Sequence, residues 1–198
     1  MAKLRIPSND LVREYIEKFN NDKRYYLADQ AIIKLFQKFP ENKILEDILL
    51  KISVINDMYS TNIFGTFIIA EHILGLGIDK DLVRGDPALV HKIATGHGIL
   101  AKNSERNFYS FATKYCNWHN KEAYPIYDSF VAKILIAYRD EFEFSHFDDI
   151  DLKDYVRFKE IINDLRKAYH LTEFNLKEID KFLWIYGKTM FPNNYSKK

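Results

Sequence analysis

Three side chains in one stretch, residues 102–135, have the types and spacing to support chemistry at a single site. Ser110 and Lys114 are four residues apart on a predicted helix, so they share a face one turn apart. Asp128 follows the rigid Tyr124-Pro125-Ile126-Tyr127 segment, at the start of a second predicted helix. A carboxylate there could stabilise a developing cation or activate water, and a desolvated lysine is an imine-forming nucleophile.

The same residues also have plain structural interpretations. Asp128 stands at an N-cap position, where a carboxylate contributes about 1 kcal/mol to helix stability. A locally basic character distinguishes the segment from the rest of the chain, and it indicates either an anion-binding surface or a solvated helix face; the residues concerned are Lys102, Arg106, Lys114, His119 and Lys121. Both interpretations are open at this stage.

A second polar group follows an apolar helix near residue 60. Asn56, Tyr59 and Thr61 could line a pocket and contact the edge of a polar ligand, or they could simply terminate the helix. A small-molecule pocket would be formed by Asn56 and Tyr59 together with Tyr124 and Tyr127. The sequence does not decide between the two interpretations.

Metal and cofactor chemistry has little support in the sequence. Cys116 and His119 have a spacing compatible with zinc, but a site needs three or four ligands. Cys116 also lies on the apolar stripe of its helix. The acidic segment around His146 is typical of a solvated loop, and Gly-rich phosphate loops and hydrolase or metalloprotease motifs are absent from the sequence. We therefore predict no metal and no cofactor.

Composition and charge limit the broader class. Of 198 residues, 47% are hydrophobic and 15% aromatic, which predicts a folded protein with a ring-rich core. The net charge of +1 lacks the strongly basic balance of a dedicated nucleic-acid binder, so such a role must rest on a local patch. A single cysteine and the lack of a long apolar run predict a cytoplasmic protein with no membrane association.

Apolar residues recur at helical spacing along most of the chain. Phe108, Phe111, Ala112, Tyr115 and Cys116 form one such stripe, which the polar residues 117–123 end. Period-two alternation is not sustained anywhere. The sequence predicts an all-α fold of about eight to ten helices in one domain, with a frayed tail over residues 193–198. Residues 1–44 and 136–198 form one predicted lobe, residues 45–135 form the core, and a groove lies between them.

Residues 45–135 resemble the helix-hairpin-helix base-excision DNA glycosylases, the superfamily of endonuclease III and the 8-oxoguanine glycosylases. The resemblance rests on Leu49-Leu50-Lys51-Ile52-Ser53 through Thr61, on Ser110-Phe111-Ala112, and on Pro125-Ile126-Tyr127-Asp128-Ser129-Phe130-Val131. It implies a glycosylase-like core, double-stranded DNA with a damaged base as partner, and base flipping. By position, the catalytic aspartate of the family corresponds to Asp128.

Two departures from the family pattern shape what the resemblance implies. The lysine of bifunctional members comes 18 or 19 residues before the aspartate; Ser110 stands 18 residues before Asp128, and Lys114 only 14. This implies a monofunctional enzyme or a scaffold that has lost catalysis. The family's glycine-containing hairpin corresponds to Arg106-Asn107-Phe108, which has no glycine, so Lys102, Ser104 and Arg106 are the expected substitutes for phosphate binding. A non-catalytic interaction module or a small-molecule-binding protein is the alternative.

Overall fold

Helices form almost all of the regular structure in the computed structural model, which describes residues 3–192. In chain order the elements are α1 (Asn9–Asn21), α2 (Lys23–Lys38), α3 (Leu45–Tyr59), α4 (Thr66–Leu76), α5 (Asp79–Arg84), α6 (Ala88–Ala94), β1 (Leu100–Ala101), β2 (Ser104–Glu105), α7 (Tyr109–His119), α8 (Ser129–Phe142), a 3-10 turn (Asp149–Lys153), α9 (Tyr155–Ala168) and α10 (Leu176–Met190). The all-α prediction is confirmed. The expected frayed tail, residues 193–198, lies outside the described residues.

The helices pack in two groups joined by α2. Helix α10 packs on α1 and α8, whereas α7 packs on α3 and α6; α2 contacts α1, α3 and α7. Apolar side chains from both groups form one continuous core. The predicted division into two lobes and a core stays a prediction. Among residues 3–192, no helix is long and apolar enough to cross a membrane.

Local sequence signals explain several helix ends. Ser8, Asp22, Asp128 and Asp154 each cap the following helix by accepting a hydrogen bond from a backbone N–H in its first turn. At α10 a capping box is present, because the side chains of Asn175 and Glu178 each accept a hydrogen bond from the other's backbone N–H.

Two details near α7 differ from the sequence prediction. A two-stranded antiparallel hairpin, β1–β2, precedes the helix and pairs Leu100 with Glu105. It is too short to produce an alternating pattern. Helix α7 also continues through Asn117 and Trp118, which were predicted to lie in a polar loop, because Trp118 is buried and the Asn117 amide donates a 2.6 Å hydrogen bond to the carbonyl of Tyr124.

Candidate functional site

A cavity of about 260 Å³ lies between the two helix groups. One wall comes from α1, α2 and α10; the other comes from the end of α3, from α7 and from the segment before α8. The lining residues are Phe19, Tyr25, Ala28, Asp29, Ile32, Met58, Tyr59, Ser60, Lys114, Ile126, Asp128, Lys177, Asp180, Trp184 and Lys188. The cavity is therefore lined by aromatic rings together with acidic and basic groups.

Helix α7 places Lys114 at the cavity with its amine held from three sides. The side chain is 3% exposed. Its Nζ donates hydrogen bonds to Ser110 Oγ at 2.6 Å and to the Tyr127 carbonyl at 3.2 Å, and lies 3.4 Å from the Ser110 carbonyl. The predicted shared face of Ser110 and Lys114 is confirmed, because one helical turn brings their polar atoms into contact.

The segment between α7 and α8 sets the position of Asp128. Tyr127 N–H donates to Thr113 Oγ1 at 3.1 Å, and the Tyr155 hydroxyl donates to the Pro125 carbonyl at 3.0 Å. Asp128 Oδ1 then accepts the Phe130 N–H at 3.0 Å as the cap of α8. Its Oδ2 lies 3.8 Å from Lys114 Nζ. One carboxylate thus serves both the helix cap and the site.

Burial and the neighbouring carboxylate act on the pKa of Lys114 in opposite directions. Burial lowers the pKa of Lys114, while the nearby Asp128 carboxylate raises it, and burial prevails. A lowered pKa means that the amine loses its proton at a lower pH than an exposed lysine does, and the neutral amine is a nucleophile. The site can therefore supply both a nucleophile and a carboxylate base.

A second ion pair, Lys177 with Asp180, also lines the cavity, and it was not predicted from the sequence. Lys177 Nζ lies 3.0 Å from Asp180 Oδ2 and donates to the Tyr59 hydroxyl at 3.3 Å. The same hydroxyl accepts the Trp118 indole N–H at 3.1 Å. Burial raises the pKa of Tyr59, so the phenol stays protonated. The only available signal was the three-residue spacing of Lys177 and Asp180 on one helix.

Aromatic rings form another part of the cavity lining. Trp184 makes edge-to-face contacts with Tyr25 and Phe19, with ring centroids 5.0 Å and 6.1 Å apart. Lys188 Nζ lies 4.4 Å from the Trp184 ring centroid and donates to the Tyr25 hydroxyl at 2.8 Å. None of these residues was a predicted site residue, because they come from α1, α2 and α10, far from residues 102–135 in sequence.

Several predicted ligand-binding residues have structural roles elsewhere. Asn56 holds the turn after α3: its amide donates to the Ile63 carbonyl, and its Oδ1 accepts from Ile63 N–H and Thr61 Oγ1. Asn56 and Thr61 do not line the cavity. Of the three polar residues predicted near residue 60, only Tyr59 reaches it, because the Asn56 side chain bonds the Ile63 backbone and the Thr61 hydroxyl donates to Asn56.

The other two tyrosines and His119 also use their side chains for packing. Tyr124 is fully buried, and its hydroxyl contacts the Asp81 and Asp86 carbonyls. Tyr127 contributes its carbonyl to the site, whereas its hydroxyl accepts a hydrogen bond from Lys153. His119 packs against Phe36 and Tyr115 with Nε2 buried. The predicted pocket of Asn56, Tyr59, Tyr124 and Tyr127 is therefore not formed.

The predicted phosphate-binding residues lie on the β1–β2 hairpin and the segment after it, outside the cavity lining. Lys102 and Ser104 are exposed, and Arg106 stacks on the Phe64 and Phe108 rings. The nearby turn does contain glycine. Gly96 and Gly98 both have φ of +77°, and their N–H groups donate to the Glu105 carboxylate at 3.0 Å and 2.7 Å. These hydrogen bonds lower the pKa of Glu105.

Metal ligation has no structural support among residues 3–192. No group of three or more His, Cys, Asp or Glu side chains there could hold an ion. Cys116 is fully buried on the apolar face of α7, and burial raises the pKa of its thiol. The alternative that Cys116 belongs to the core is therefore confirmed.

Comparison with known proteins places the chain in a family. The profile of the HI_0787_N family, described as an N-terminal domain, matches residues 11–123. The chain belongs to this family. It is also 42% identical over 155 residues to an uncharacterized protein of Haemophilus influenzae, an alignment that covers 78% of this chain and 73% of the relative. No solved structure matches the chain.

Proposed function

We propose that the protein binds DNA and removes a damaged base, with the nucleotide inserted into the cavity. The observation that carries this proposal is the position of Lys114 Nζ and Asp128 Oδ2, 3.8 Å apart at the wall of an aromatic-lined cavity. Breaking a glycosidic bond creates positive charge on the sugar, and a fixed carboxylate stabilises that charge. The resemblance to helix-hairpin-helix glycosylases supports the same role for Asp128.

The size and lining of the cavity fit one ring system. Its volume of about 260 Å³ is below the roughly 300–1,000 Å³ typical of sites for drug-sized ligands. The rings of Phe19, Tyr25 and Trp184 offer apolar surface for a planar group. A base inside a duplex cannot reach such a cavity, so the target nucleotide has to leave the stack, as it does in other base-modifying enzymes.

Lys114 adds a nucleophile to this reaction. In the neutral form its nitrogen can attack the sugar C1′ while the bond from C1′ to the base breaks. The bonding electrons leave with the base, which takes up a proton from solvent, and Asp128 accepts the proton that the amine releases. Asp128 then passes this proton to the ring oxygen O4′ as the C1′–O4′ bond breaks, which leaves a protonated imine between C1′ and the lysine nitrogen. The sequence spacing of 14 residues argued against a lysine partner for Asp128, but spacing along the chain does not fix distance once the segment before α8 folds back on α7.

A base-release assay tests the proposal. Duplexes carrying 8-oxoguanine, uracil, an alkylated purine or hypoxanthine are incubated with the protein, and borohydride is added to trap any imine. We expect release of at least one of these bases, loss of release in Asp128→Asn, and loss of the trapped adduct in Lys114→Gln. Circular dichroism checks that both variants fold. No release from any duplex by the folded wild-type protein refutes the catalytic proposal.

A small-molecule-binding protein without catalysis is the second candidate. The near-neutral charge of the chain favours it, because a dedicated DNA binder usually carries a clear basic surface. Duplex binding that weakens steeply with salt supports the DNA proposal, since counterions are released from the phosphates that the protein contacts. Binding of a free heteroaromatic ligand without any duplex binding supports the second candidate.

A further inference from the structure

The carboxylates that line the cavity all have lysine partners. Each acid lies within 4 Å of a basic nitrogen, so the pairs cancel in charge and leave no acidic group to attract a cation. The pairs are Lys114 with Asp128 at 3.8 Å, Lys177 with Asp180 at 3.0 Å, and Lys181 with Asp29 at 2.8 Å.

Lys188 is the charged lining residue that these pairs leave over. Within residues 3–192 no carboxylate lies within salt-bridge distance of its amine. The ammonium is held by the Tyr25 hydroxyl at 2.8 Å and lies over the Trp184 ring. These contacts use one of its three N–H donors. A half-buried ammonium at a cavity wall, with donors that no other described residue uses, attracts an anionic group.

We infer that Lys188 binds the phosphate of a nucleotide whose ring system occupies the cavity. The inference rests on the proposed function, and it adds that the phosphate of the ligand lies at Lys188. Each lining carboxylate has a lysine partner, although Lys181, the partner of Asp29, does not itself line the cavity, so Lys188 is the lining cation outside these pairs and matches one phosphate group. A phosphodiester of the DNA backbone and the monoester of a free nucleotide share this chemistry.

Calorimetric titration with matched probes tests the inference. The probes are 2′-deoxyguanosine, 2′-deoxyguanosine 5′-monophosphate, and a short duplex carrying a stable abasic-site analogue, alongside the same duplex without it. We expect the monophosphate to bind about 10-fold more tightly than the nucleoside, and Lys188→Gln to remove that difference. Lys133→Gln is the matched control, because Lys133 is exposed, lies over the Phe130 ring at 5.5 Å and also lacks a carboxylate partner among the described residues. It should keep the preference.

The outcomes separate this inference from the proposed catalysis. Equal affinity for nucleoside and monophosphate, no binding of any of the four probes, or a phosphate preference that survives Lys188→Gln overturns the inference. Preferential binding of the abasic duplex, reduced about 10-fold in Lys188→Gln, identifies the backbone as the source of the phosphate; binding of the monophosphate alone identifies a free nucleotide. Phosphate-dependent binding without base release leaves the inference standing and removes only the glycosylase proposal.

Discussion

Replacing Asp128 by asparagine separates the two roles of this carboxylate. Asparagine caps a helix about as well as aspartate, so the bond from Phe130 N–H is kept, whereas the charge beside Lys114 is lost. Two unit charges 3.8 Å apart interact by about 4 kcal/mol at an effective dielectric constant of 20. Because Asp128 is 23% exposed, we expect a loss of roughly 2–4 kcal/mol in the free energy of unfolding at pH 6.

The pH dependence of this loss is the sharper prediction. Burial already lowers the pKa of Lys114 below that of the unfolded chain, and loss of the carboxylate lowers it further. At a pH below the folded-state pKa of Lys114 in both the wild type and the variant, the variant buries a charged amine without its partner, so the penalty is complete. As the pH rises the variant's amine deprotonates first, and the penalty shrinks. Urea unfolding at pH 6 and pH 9 should therefore show a smaller difference from wild type at pH 9.

Two further variants control the interpretation. Asp128→Ala also removes the cap and should cost about 1 kcal/mol more than Asp128→Asn at either pH. In a Lys114→Met background, Asp128→Asn should cost at least about 2 kcal/mol less than in the wild-type protein, because the partner charge is absent. A loss that is independent of pH, or that is unchanged in the Lys114→Met background, refutes the coupling between these two residues.

Three other predictions address the surrounding fold. Burial lowers the pKa of His119 to about 3, so as the pH falls the unfolded chain, in which the histidine has its ordinary pKa of 6.5, takes up the proton first. The free energy of unfolding should therefore fall by about 2 kcal/mol between pH 7 and pH 5, and by much less in His119→Gln. A Cβ on Gly187 would lie 2.6 Å from the Phe130 carbonyl oxygen, so Gly187→Ala should push α10 away from α8 and destabilise the fold by about 1–3 kcal/mol. A Cβ on Gly75 in α4 would meet no atom within 4 Å, so Gly75→Ala should stabilise the fold by roughly 0.5–1 kcal/mol, and thermal melts compare the two variants. Lys51 is fully buried and donates to the Phe39 and Glu41 carbonyls and to Asn42 Oδ1. In urea unfolding, Lys51→Met should therefore lower stability by about 3 kcal/mol, whereas Lys38→Met, at an exposed position, should change it by under about 0.5 kcal/mol.

The part of the site that could be predicted from sequence is the part formed within one short stretch. Ser110 and Lys114 meet because they are one turn apart on α7, and Asp128 caps α8 because an acid at a helix start accepts backbone N–H groups. Both effects depend on neighbours within four residues. The opposite wall could not be predicted, because Lys177, Asp180 and Lys188 face the cavity only after α10 packs on α1 and α8.

The sequence by itself determined the helical class, the helices that carry Lys114 and Asp128, and the candidate acid and lysine, since helix periodicity and capping are local. Tertiary packing decided which of these polar groups face one another. It placed Lys114 against Asp128, buried Tyr124 and His119 away from the cavity, and added Trp184 and Lys188 from the last helix. The physical reason is that hydrophobic burial fixes which helices pack together. Burial joins residues that are far apart in the chain, and the apolar pattern of a helix does not say which other helix it will contact.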